Sequence, residues 1–337
     1  MINNKIILVT GGTGSFGESF IKKLEKHFNP KKIIIFSRDE LKQSQMRKNI
    51  DEKKLKKYRF FIGDVRDQDR LISACKGVDI VIHAAALKQV DSAEYNPSEA
   101  IKTNIIGAEN VVKASLQNNV GHILALSTDK ACSPINLYGA TKLASDKIFI
   151  SANNIKGTAK CKFSVLRYGN VMGSRGSVLP FFLELKKQNK PLTITDRSMT
   201  RFSLTLEEGI DFAFLSLKMM VGGELFVPKI PSFRIMDLVK AIGNKSKIKI
   251  IGIRPGEKLH EDLISVSDSR KTIDSSKFYI IRPDVLVAPW SEKVFRKHNK
   301  LGKLKYCKKD FYYSSNSNKK FLTVSELKKL IDKKIKY

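Results

Sequence analysis

The sequence predicts an α/β protein, with a doubly wound parallel sheet followed on its C-terminal side by a smaller α+β region. Short β-branched runs alternate with longer helical patterns through the first half of the chain. A glycine-rich turn at 11–17 joins the first strand pattern to the first helix pattern, and beyond Gly169 the regular alternation is lost. Strand–helix alternation implies right-handed βαβ units, and therefore a parallel sheet with helices on both faces.

The first half contains strand patterns separated by helix patterns. Strands are expected at 5–10, 33–37, 59–63, 78–84, 122–127 and 162–168. Helices are expected from the glycine turn to about 27, after Pro97, and at 138–151. The helix after Pro97 is predicted from apolar residues at helical spacing, namely Ile101, Ile105, Ala108, Val111 and Val112. This succession is typical of a Rossmann sheet, which we assign to residues 1–170.

The second half predicts a region interleaved with the sheet, assigned to residues 171–270. Short strands are expected at 192–195, 224–227 and 247–251, and helices at 178–187, 206–218 and 234–242. Residues 271–337 form a basic C-terminal extension, with a polar connector at 310–320 and a terminal helix at 324–335. A region in this position usually completes a substrate pocket.

Composition excludes several classes of protein. The 337 residues are 42% hydrophobic and 28% charged, which allows a sizeable core. No stretch approaches the roughly 18 apolar residues of a membrane helix, and the N-terminus fits a first strand and not a signal peptide. The four cysteines and five histidines show no metal-ligand spacing. We therefore expect a cytoplasmic protein with reduced cysteines, no membrane span and no bound metal.

The net charge of +29 raises the possibility of a nucleic-acid partner. Lysine outnumbers arginine 48 to 14, however, and no stripe of arginine interleaved with aromatics is present. Residues 271–337 alone hold 18 basic and 6 acidic side chains, which predicts a solvated tail. We expect no nucleic-acid partner, although an anionic substrate would gain from the positive field.

The segment 10–17, TGGTGSFG, predicts a dinucleotide site. Its glycines permit a tight turn and let a pyrophosphate approach the backbone amides at a helix N-terminus. The motif alone is weak, but here it lies between a clear strand and a clear helix. The contacts predicted in this loop are Gly11, Thr13, Gly14, Ser15, Phe16 and Gly17.

The end of the second strand predicts which dinucleotide binds. NAD sites usually place an acidic residue there on the ribose 2′-hydroxyl, whereas Ser37, Arg38 and Lys42 are placed to meet a 2′-phosphate. NADP is therefore predicted, and the alternative is that Asp39 takes the ribose of NAD. After the third strand, Asp64-Val65 occupies the usual position for the adenine edge.

A tyrosine and a lysine predict oxidation of a substrate hydroxyl beside the nicotinamide. Tyr138 and Lys142 lie four apart on one helical face. A lysine ammonium beside a phenol lowers the pKa of the phenol, which can then accept a hydroxyl proton. Ser127 and Thr128 end the preceding strand, where a hydroxyl would bind the same substrate oxygen.

Together these motifs resemble the extended short-chain dehydrogenase/reductase family, over residues 5 to 265. The segment from Asn104 to Asn110 is similar to a helix motif of that family, and that from Arg167 to Val171 to its nicotinamide and diphosphate segment. Asp129-Lys130, ahead of Tyr138, further resembles the inverting UDP-N-acetylglucosamine 4,6-dehydratases of pseudaminic acid biosynthesis. Other 4,6-dehydratases of the family carry Asp-Glu at this position.

The resemblance implies an NADP-dependent hydro-lyase that acts on UDP-N-acetylglucosamine with inversion at C5, as the first step towards pseudaminic acid or a related surface sugar. It also implies a homo-oligomer. Tyr138 would deprotonate the 4-hydroxyl, and Asp129 would assist the loss of the 6-hydroxyl as water. Lys130 would be the base at C5 and would return a proton to its opposite face. Further cofactor contacts implied are Asp39, Glu40, Leu41, Ala84, Ala85, Ala86, Lys88, Asn104 and Val171. The substrate contacts implied are Lys88, Lys130, Asn170, Val178, Leu179, Pro180, Arg201, Arg254 and Glu257.

Two other functions remain open at this stage. A UDP-hexose 4-epimerase on the same fold would release no water and create no 6-methyl group. A non-catalytic NADP-binding or nucleic-acid-binding protein is the other, against which Tyr138 and Lys142 argue. Lys130 also has an alternative role: it can act as a base only if its pKa is lowered, and otherwise it forms a structural ion pair with Asp129.

Overall fold

The computed structural model describes residues 1–173, 177–243, 247–284 and 290–335. In the first half, strands and helices alternate as the sequence predicts. The elements are β1 (Ile6–Thr10), α1 (Ser15–His27), β2 (Lys32–Ser37), α2 (Glu40–Lys48), α3 (Glu52–Leu55), β3 (Tyr58–Ile62), α4 (Gln68–Ala74), β4 (Ile80–His83), α5 (Val90–Tyr95), α6 (Pro97–Ile101), α7 (Gly107–Gln117), β5 (His122–Thr128), α8 (Leu137–Ile155) and β6 (Lys162–Tyr168).

In the second half the strands are shorter. The elements are α9 (Val178–Lys187), β7 (Leu192–Ile194), β8 (Thr200–Phe202), α10 (Leu206–Met219), β9 (Leu225–Pro228), β10 (Ser232–Arg234), α11 (Ile235–Ile242), β11 (Ile248–Ile250), β12 (Asp262–Ile264), β13 (Thr272–Asp274), β14 (Phe278–Ile281), α12 (Glu292–Asn299), β15 (Lys305–Tyr306), β16 (Tyr313–Ser314) and α13 (Val324–Ile335).

The main sheet confirms the predicted fold class. Its strands lie in the order β15-β13-β14-β9-β6-β5-β4-β1-β2-β3. The part from β3 to β6 is parallel and has the strand order of a doubly wound Rossmann sheet. Since β1 pairs with both β2 and β4, the strand order reverses at β1. Ligands of such sheets bind in the crevice at the carboxyl ends of these strands.

Alternate residues of the parallel strands build two apolar cores. Leu8 of β1 packs in one core, which includes α4, α7 and α8, while Ile7 and Val9 pack in the other with α1 and α10. The alternation follows from the two-residue period of a strand, which points successive side chains to opposite faces. Both faces of the sheet are therefore covered by helices, and a ligand can bind at the carboxyl ends of the strands.

The helix predicted after Pro97 is interrupted by a π-helical turn at Lys102–Ile106. The prediction that Ile101 lies on the buried face is wrong, because its side chain is 40% exposed. The extra residue in the π turn rotates the helix face, so that Thr103 and Asn104 become buried in its place. Π turns of this kind are frequent at functional sites.

Small sheets and helices form the predicted α+β region beside the sheet. β7 pairs with β11, β8 with β10 and β12 with β16, each as a two-stranded sheet. Helices α9, α11 and α13 pack around a third apolar cluster, centred on Phe182, Phe233 and Leu238. Across the described residues, no helix is long and apolar enough to cross a membrane.

The basic C-terminal stretch is not a solvated tail. β14 extends the main sheet by pairing antiparallel with β9, and β13 pairs antiparallel with β14. Phe295, Leu327 and Ile331 are buried. The expected connector at 310–320 contains β16, and the hydroxyl of the buried Tyr313 donates to the backbone oxygen of Ile230 at 2.7 Å. The basic side chains of residues 271–337 lie mostly on the exposed faces of these packed helices and strands. The assignment of 171–270 and 271–337 as separate units stays a prediction.

Candidate active site

A cavity of about 550 Å³ opens at the carboxyl ends of the parallel strands. Its walls come from the residues after β1, β2, β4 and β5, which is the crevice expected at the reversal of strand order. The volume is within the range of roughly 300–1,000 Å³ found for small-molecule sites.

Most residues predicted to bind the cofactor lie in the wall of this cavity. Those that do are Gly11, Thr13, Gly14, Ser15, Phe16, Gly17, Ser37, Arg38, Asp39, Lys42, Asp64, Val65, Ala84, Ala85, Ala86, Lys88, Tyr138, Lys142 and Val171. Glu40, Leu41 and Asn104 do not line it. Tyr168 and Gly169 also line it, within the segment 167–171 that the resemblance assigned to the nicotinamide and diphosphate. The residues that the sequence reasoning missed are Phe36, Gly63, Thr103, Leu126 and Leu206.

The glycine loop fits a dinucleotide pyrophosphate. Gly11 has φ +65°, and a Cβ there would lie 2.9 Å from the backbone nitrogen of Ala85. A Cβ on Gly17 would lie 2.6 Å from the carbonyl oxygen of Gly11, so α1 packs directly on the loop. The N-cap of α1 is Gly14, which has no side chain that could cap the helix. The free amides at this helix start are therefore available to an anion.

Charged side chains surround the adenosine end of the cavity. Asp39 caps α2: its Oδ1 accepts from the backbone nitrogen of Lys42 at 2.9 Å, and its Oδ2 lies 2.6 Å from Lys42 Nζ. These hydrogen bonds hold the pKa of Asp39 below its ordinary value. Arg38 is 54% exposed and lies 3.4 Å from Asp64. Two cations and two carboxylates therefore meet where the ribose is expected.

Asn104 supports the cavity wall from behind. It is buried in the π turn, where its Oδ1 accepts from the backbone nitrogen of Leu87 and its Nδ2 donates to the Leu87 oxygen, each at 2.9 Å. Nδ2 also lies 3.0 Å from Thr141 Oγ1. The prediction that Asn104 contacts the cofactor does not match this position, because its amide is used to join the loop after β4 to α8.

The reacting end of the cavity carries Thr128, Tyr138 and Lys142, which the structure brings together. Burial raises the pKa of Tyr138 to about 12, against the effects of the Lys130 charge and a hydrogen bond with Thr128, which lower it. Burial also lowers the pKa of Lys142. The expected lowering of the phenol pKa is therefore wrong for this structure, because loss of hydration outweighs the neighbouring cations.

Ser127 lines the cavity as expected, but its hydroxyl is already engaged by a buried carboxylate. Its hydroxyl donates to Asp146 Oδ2 at 2.7 Å, and the same oxygen accepts from Arg167 Nη2 at 3.1 Å. Asp146 lies one further turn along α8 from Lys142, and its charge opposes the lowering of the Lys142 pKa. This buried network ties the ends of β5 and β6 to the helix that carries Tyr138. The hydroxyl of Thr128 donates to Asp129 Oδ1 at 2.8 Å and lies in the cavity wall.

Asp129 and Lys130 belong to a buried cluster of charges that we call the Lys130 cluster: Asp129, Lys130, Arg201 and Glu261. Lys130 Nζ lies 3.3 Å from Asp129 Oδ1 and 3.0 Å from Glu261 Oε1. Arg201 Nε lies 3.9 Å from that same Glu261 oxygen. The side chains of Asp129 and Glu261 are each only 2% exposed. Sequence reasoning missed Glu261, although it lies only four residues after the predicted substrate residue Glu257.

The electrostatics of the Lys130 cluster differ from expectation. Burial lowers the pKa of Lys130, but the charges of Asp129 and Glu261 outweigh it and hold the pKa above its ordinary value. The lowered pKa that Lys130 would need as a free base is therefore absent, because the fold supplies two carboxylates where the expectation counted one. The ion pair with Asp129 that was the alternative is present, so any role as a base requires that Lys130 first pass a proton to Asp129. Burial in turn raises the pKa of Glu261.

Backbone packing fixes the Lys130 cluster against the cavity. A Cβ on Gly139 would lie 2.2 Å from the carbonyl oxygen of Lys130, so only glycine lets the start of α8 approach so closely. The hydroxyl of Thr128, in the cavity wall, donates to Asp129 Oδ1 of the cluster at 2.8 Å. The cluster therefore adjoins the reacting end of the cavity.

The other predicted substrate residues surround the Lys130 cluster. Arg201 is buried, and its Nη2 lies 3.5 Å from Glu257 Oε1. Arg254 is exposed, on a loop that Asn136 holds to the start of α8 by a 2.7 Å hydrogen bond to the Gly256 oxygen. Asn170 is half-buried, and its Oδ1 has no hydrogen-bond partner among the described residues. The segment that contains Val178, Leu179 and Pro180 begins α9, outside the cavity wall.

The fold and site together define a nicotinamide-dinucleotide enzyme of the extended short-chain dehydrogenase/reductase class. The defining features are the glycine loop at the reversal of strand order and Tyr138 and Lys142 one turn apart in the same cavity. A family model described as polysaccharide biosynthesis protein matches residues 7–283. The chain belongs to this family.

Relatives with named activities match along the whole chain. A UDP-N-acetylglucosamine 4,6-dehydratase (inverting) from Campylobacter jejuni is 52% identical, with 98% of each chain covered. A UDP-glucose 4-epimerase from Rickettsia bellii is 42% identical, over 98% of this chain and 96% of its own. Among solved structures, Pen from Bacillus thuringiensis is 35% identical, with a TM-score of 0.88 and 99% of each chain covered.

Proposed function

We propose that the protein is a UDP-N-acetylglucosamine 4,6-dehydratase that inverts C5 and yields UDP-2-acetamido-2,6-dideoxy-β-L-arabino-hex-4-ulose. The observation that carries this proposal is the Asp129–Lys130 pair, placed by β5 beside Tyr138 at the reacting end of the dinucleotide cavity. The 52% identity to an inverting dehydratase over nearly the full length supports it.

Tyr138 is the group that takes the proton of the sugar 4-hydroxyl. A nicotinamide dinucleotide held by the glycine loop and Lys142 would supply reversible hydride transfer with no net redox change. Thr128 binds the substrate oxygen that Tyr138 deprotonates. Lys142 binds the ribose of the cofactor. Because burial raises the pKa of Tyr138, the step depends on Lys130, Thr128 and the added positive charge of the oxidised cofactor to favour the phenolate.

The Lys130 cluster performs the elimination. Once the 4-keto group has formed, the C5 proton is acidic, and Lys130 accepts it while Asp129 gives a proton to the leaving 6-hydroxyl. Both roles arise from one proton: its transfer from Lys130 Nζ to Asp129 Oδ1, across 3.3 Å, makes a neutral amine and a carboxylic acid together. Lys130 then returns a proton to the opposite face of C5.

NADP is the proposed cofactor. Both Asp39 oxygens are engaged by Lys42, one at the backbone nitrogen and one at Nζ, which leaves this carboxylate poorly placed to accept from a ribose 2′-hydroxyl. Arg38 is exposed and only loosely paired with Asp64 at 3.4 Å, so its guanidinium can turn towards a 2′-phosphate.

The remaining proposals concern the substrate and its setting. We propose that Arg201, Arg254, Glu257 and Asn170 contact the nucleotide part of UDP-N-acetylglucosamine. The two arginines are donors suited to a diphosphate, and Glu257 and Asn170 Oδ1 offer acceptors. Lys88 and the start of α9, at Val178, Leu179 and Pro180, complete that site. We also propose a cytoplasmic homo-oligomer whose product enters a surface sugar such as pseudaminic acid.

A 4-epimerase is the second candidate, and the 42% identity to the Rickettsia enzyme is the observation that favours it. An epimerase needs Tyr138 and the cofactor but has no proton to move at C5. The buried Asp129–Lys130–Glu261 charges would then have no chemical task, which is why we place this candidate second.

The deciding experiment is to incubate the protein and NADP⁺ with UDP-N-acetylglucosamine and to follow the sugar by NMR. The proposed dehydratase creates a C6 methyl signal with one solvent-derived proton at C5, and the matched Tyr138→Phe variant creates none. A C4 epimer that retains its 6-hydroxyl would identify the epimerase and overturn the proposal.

A further inference from the structure

Glu261 is the charged group of the Lys130 cluster for which the reaction as proposed has no task. It comes from the turn before β12, 131 positions beyond Lys130 in the sequence. Its backbone is held firmly, since its nitrogen donates to Ser315 Oγ at 2.9 Å and its oxygen accepts from the Ser315 nitrogen at 2.8 Å. Its carboxylate is aimed at Lys130 Nζ, 3.0 Å away. A carboxylate this deeply buried is costly unless its charge is used.

We propose that Glu261 is a positioning residue that keeps the shared proton on the Lys130–Asp129 pair. This inference rests on the proposed dehydratase function. Glu261 does not touch the reacting carbons; it acts through Lys130, by fixing Nζ beside Asp129 Oδ1 and by adding a second negative charge to the pair. The Oε2 of Glu261 and the Oδ2 of Asp129 have no hydrogen-bond partner among the described residues, so the pair is held from one side and open on the other.

The charge of Glu261 matters because the elimination depends on the proton that Lys130 and Asp129 share. The active pair needs one proton in total, which moves from Lys130 to Asp129 before C5 is deprotonated. If that proton is lost to solvent, Asp129 cannot protonate the leaving hydroxyl. Glu261 opposes its loss by Coulombic attraction, which is consistent with the raised pKa of Lys130. Arg201 acts in the opposite sense, and Glu257 partly neutralises Arg201 across 3.5 Å.

The proposal predicts a shift in the alkaline limb of the pH profile. The ionisable groups that face Lys130 are Asp129, Glu261, Arg201 and Tyr138, and the deprotonation of Tyr138 belongs to the acid limb of the reaction. Glu261→Gln removes the charge and keeps the shape, so the alkaline limb of kcat should move to lower pH by roughly one unit or more. Exchange of the C5 proton with D₂O should show the same displaced limb. A merely structural role would lower both rates equally at every pH.

Two further variants make the test decisive. Asp262→Asn removes a charge from the adjacent residue, whose carboxylate lies 3.9 Å from Lys258 Nζ and is not among the carboxylates paired with Lys130, so the limb should stay where it is in wild type. Glu261→Asp keeps the charge but draws it back from Nζ, and should move the limb less than Glu261→Gln. If the glutamine variant does not fold, the aspartate variant carries the test.

The outcomes separate this inference from the function on which it rests. Wild-type protein that forms no C6 methyl product overturns the proposed function, and with it the role of Glu261. Wild-type protein that forms the product, together with Glu261 variants whose alkaline limb does not move, overturns the role of Glu261 alone. A limb that moves in Glu261→Gln and not in Asp262→Asn supports the inference.

Discussion

The dinucleotide cavity and the Lys130 cluster are assembled from the chain in opposite ways. The cavity is lined by residues that directly follow successive strands, and its phosphate loop spans only 11–17. The cluster joins Lys130 to Glu261, 131 positions apart, through a turn that β16 holds in place. A site made of local motifs keeps its chemistry when distant parts change, whereas a site made of distant charges depends on every segment that places them.

The largest effect is expected from removing the centre of the cluster. Lys130→Ala should abolish exchange of the C5 proton with D₂O and lower product formation by on the order of 10²–10⁴-fold, the usual contribution of a general acid–base group. NADP binding should stay near wild type, because Lys130 does not line the cavity. Product formation and exchange are followed by NMR, and cofactor binding by fluorescence titration.

An exposed lysine of α8, the helix that follows Lys130 in the sequence, serves as the control for that variant. Lys147→Ala removes an exposed lysine of α8 that makes no contact with the Lys130 cluster, and its activity should match wild type. If Lys130→Ala still forms the C5-inverted 6-deoxy product at a rate near wild type, Lys130 is only an ion-pair partner of Asp129.

A smaller effect, confined to the cavity, is expected from Arg38→Asp. Loss of a charge-assisted contact and gain of repulsion should cost about 2–4 kcal/mol of 2′-phosphate binding, which is roughly a 30- to 1,000-fold rise in the Kd for NADP. The Kd for NAD should change little, since NAD lacks this phosphate. Isothermal titration with both cofactors measures the two values.

Arg47→Asp is the matched control, because it makes the same charge change on the exposed face of α2. It should leave the ratio of the two affinities unchanged. An Arg38→Asp variant that binds NADP as tightly as wild type would mean that the adenosine ribose does not lie against Arg38, and the Asp39 alternative with NAD would then be preferred.

The smallest effect concerns the segment that supports the cluster. Tyr313→Phe removes a buried hydroxyl that donates to the Ile230 oxygen at 2.7 Å and accepts from the Ile230 nitrogen at 2.9 Å. The free energy of unfolding should fall by about 1–2 kcal/mol, while NADP affinity stays constant. Urea unfolding measures the change, and Tyr312→Phe, at a half-exposed neighbour, should leave stability near wild type. A loss of NADP affinity in Tyr313→Phe would contradict the independence of the two regions.

Much of the fold could be predicted because its signals are local. The strands at 6–10 and 162–168 follow from β-branched runs, and the glycine loop follows from the need of close backbone approach at Gly11 and Gly17. The prediction failed at Ile101, where one extra residue in a π turn rotates a helix face. It also failed for 271–337, because the lysines there lie on helices and turns around apolar strands, and composition does not distinguish these from a solvated tail.

By itself the sequence determined the class of sheet, the place of the dinucleotide loop and the pairing of Tyr138 with Lys142, since each depends on residues a few positions apart. Only the tertiary structure decided the charge state of Lys130 and the task of Asn104. The physical reason is that a pKa depends on every charge within a few ångströms, whatever its distance along the chain. Glu261 reaches Lys130 through the pairing of β12 with β16, and no spacing in the sequence records that contact.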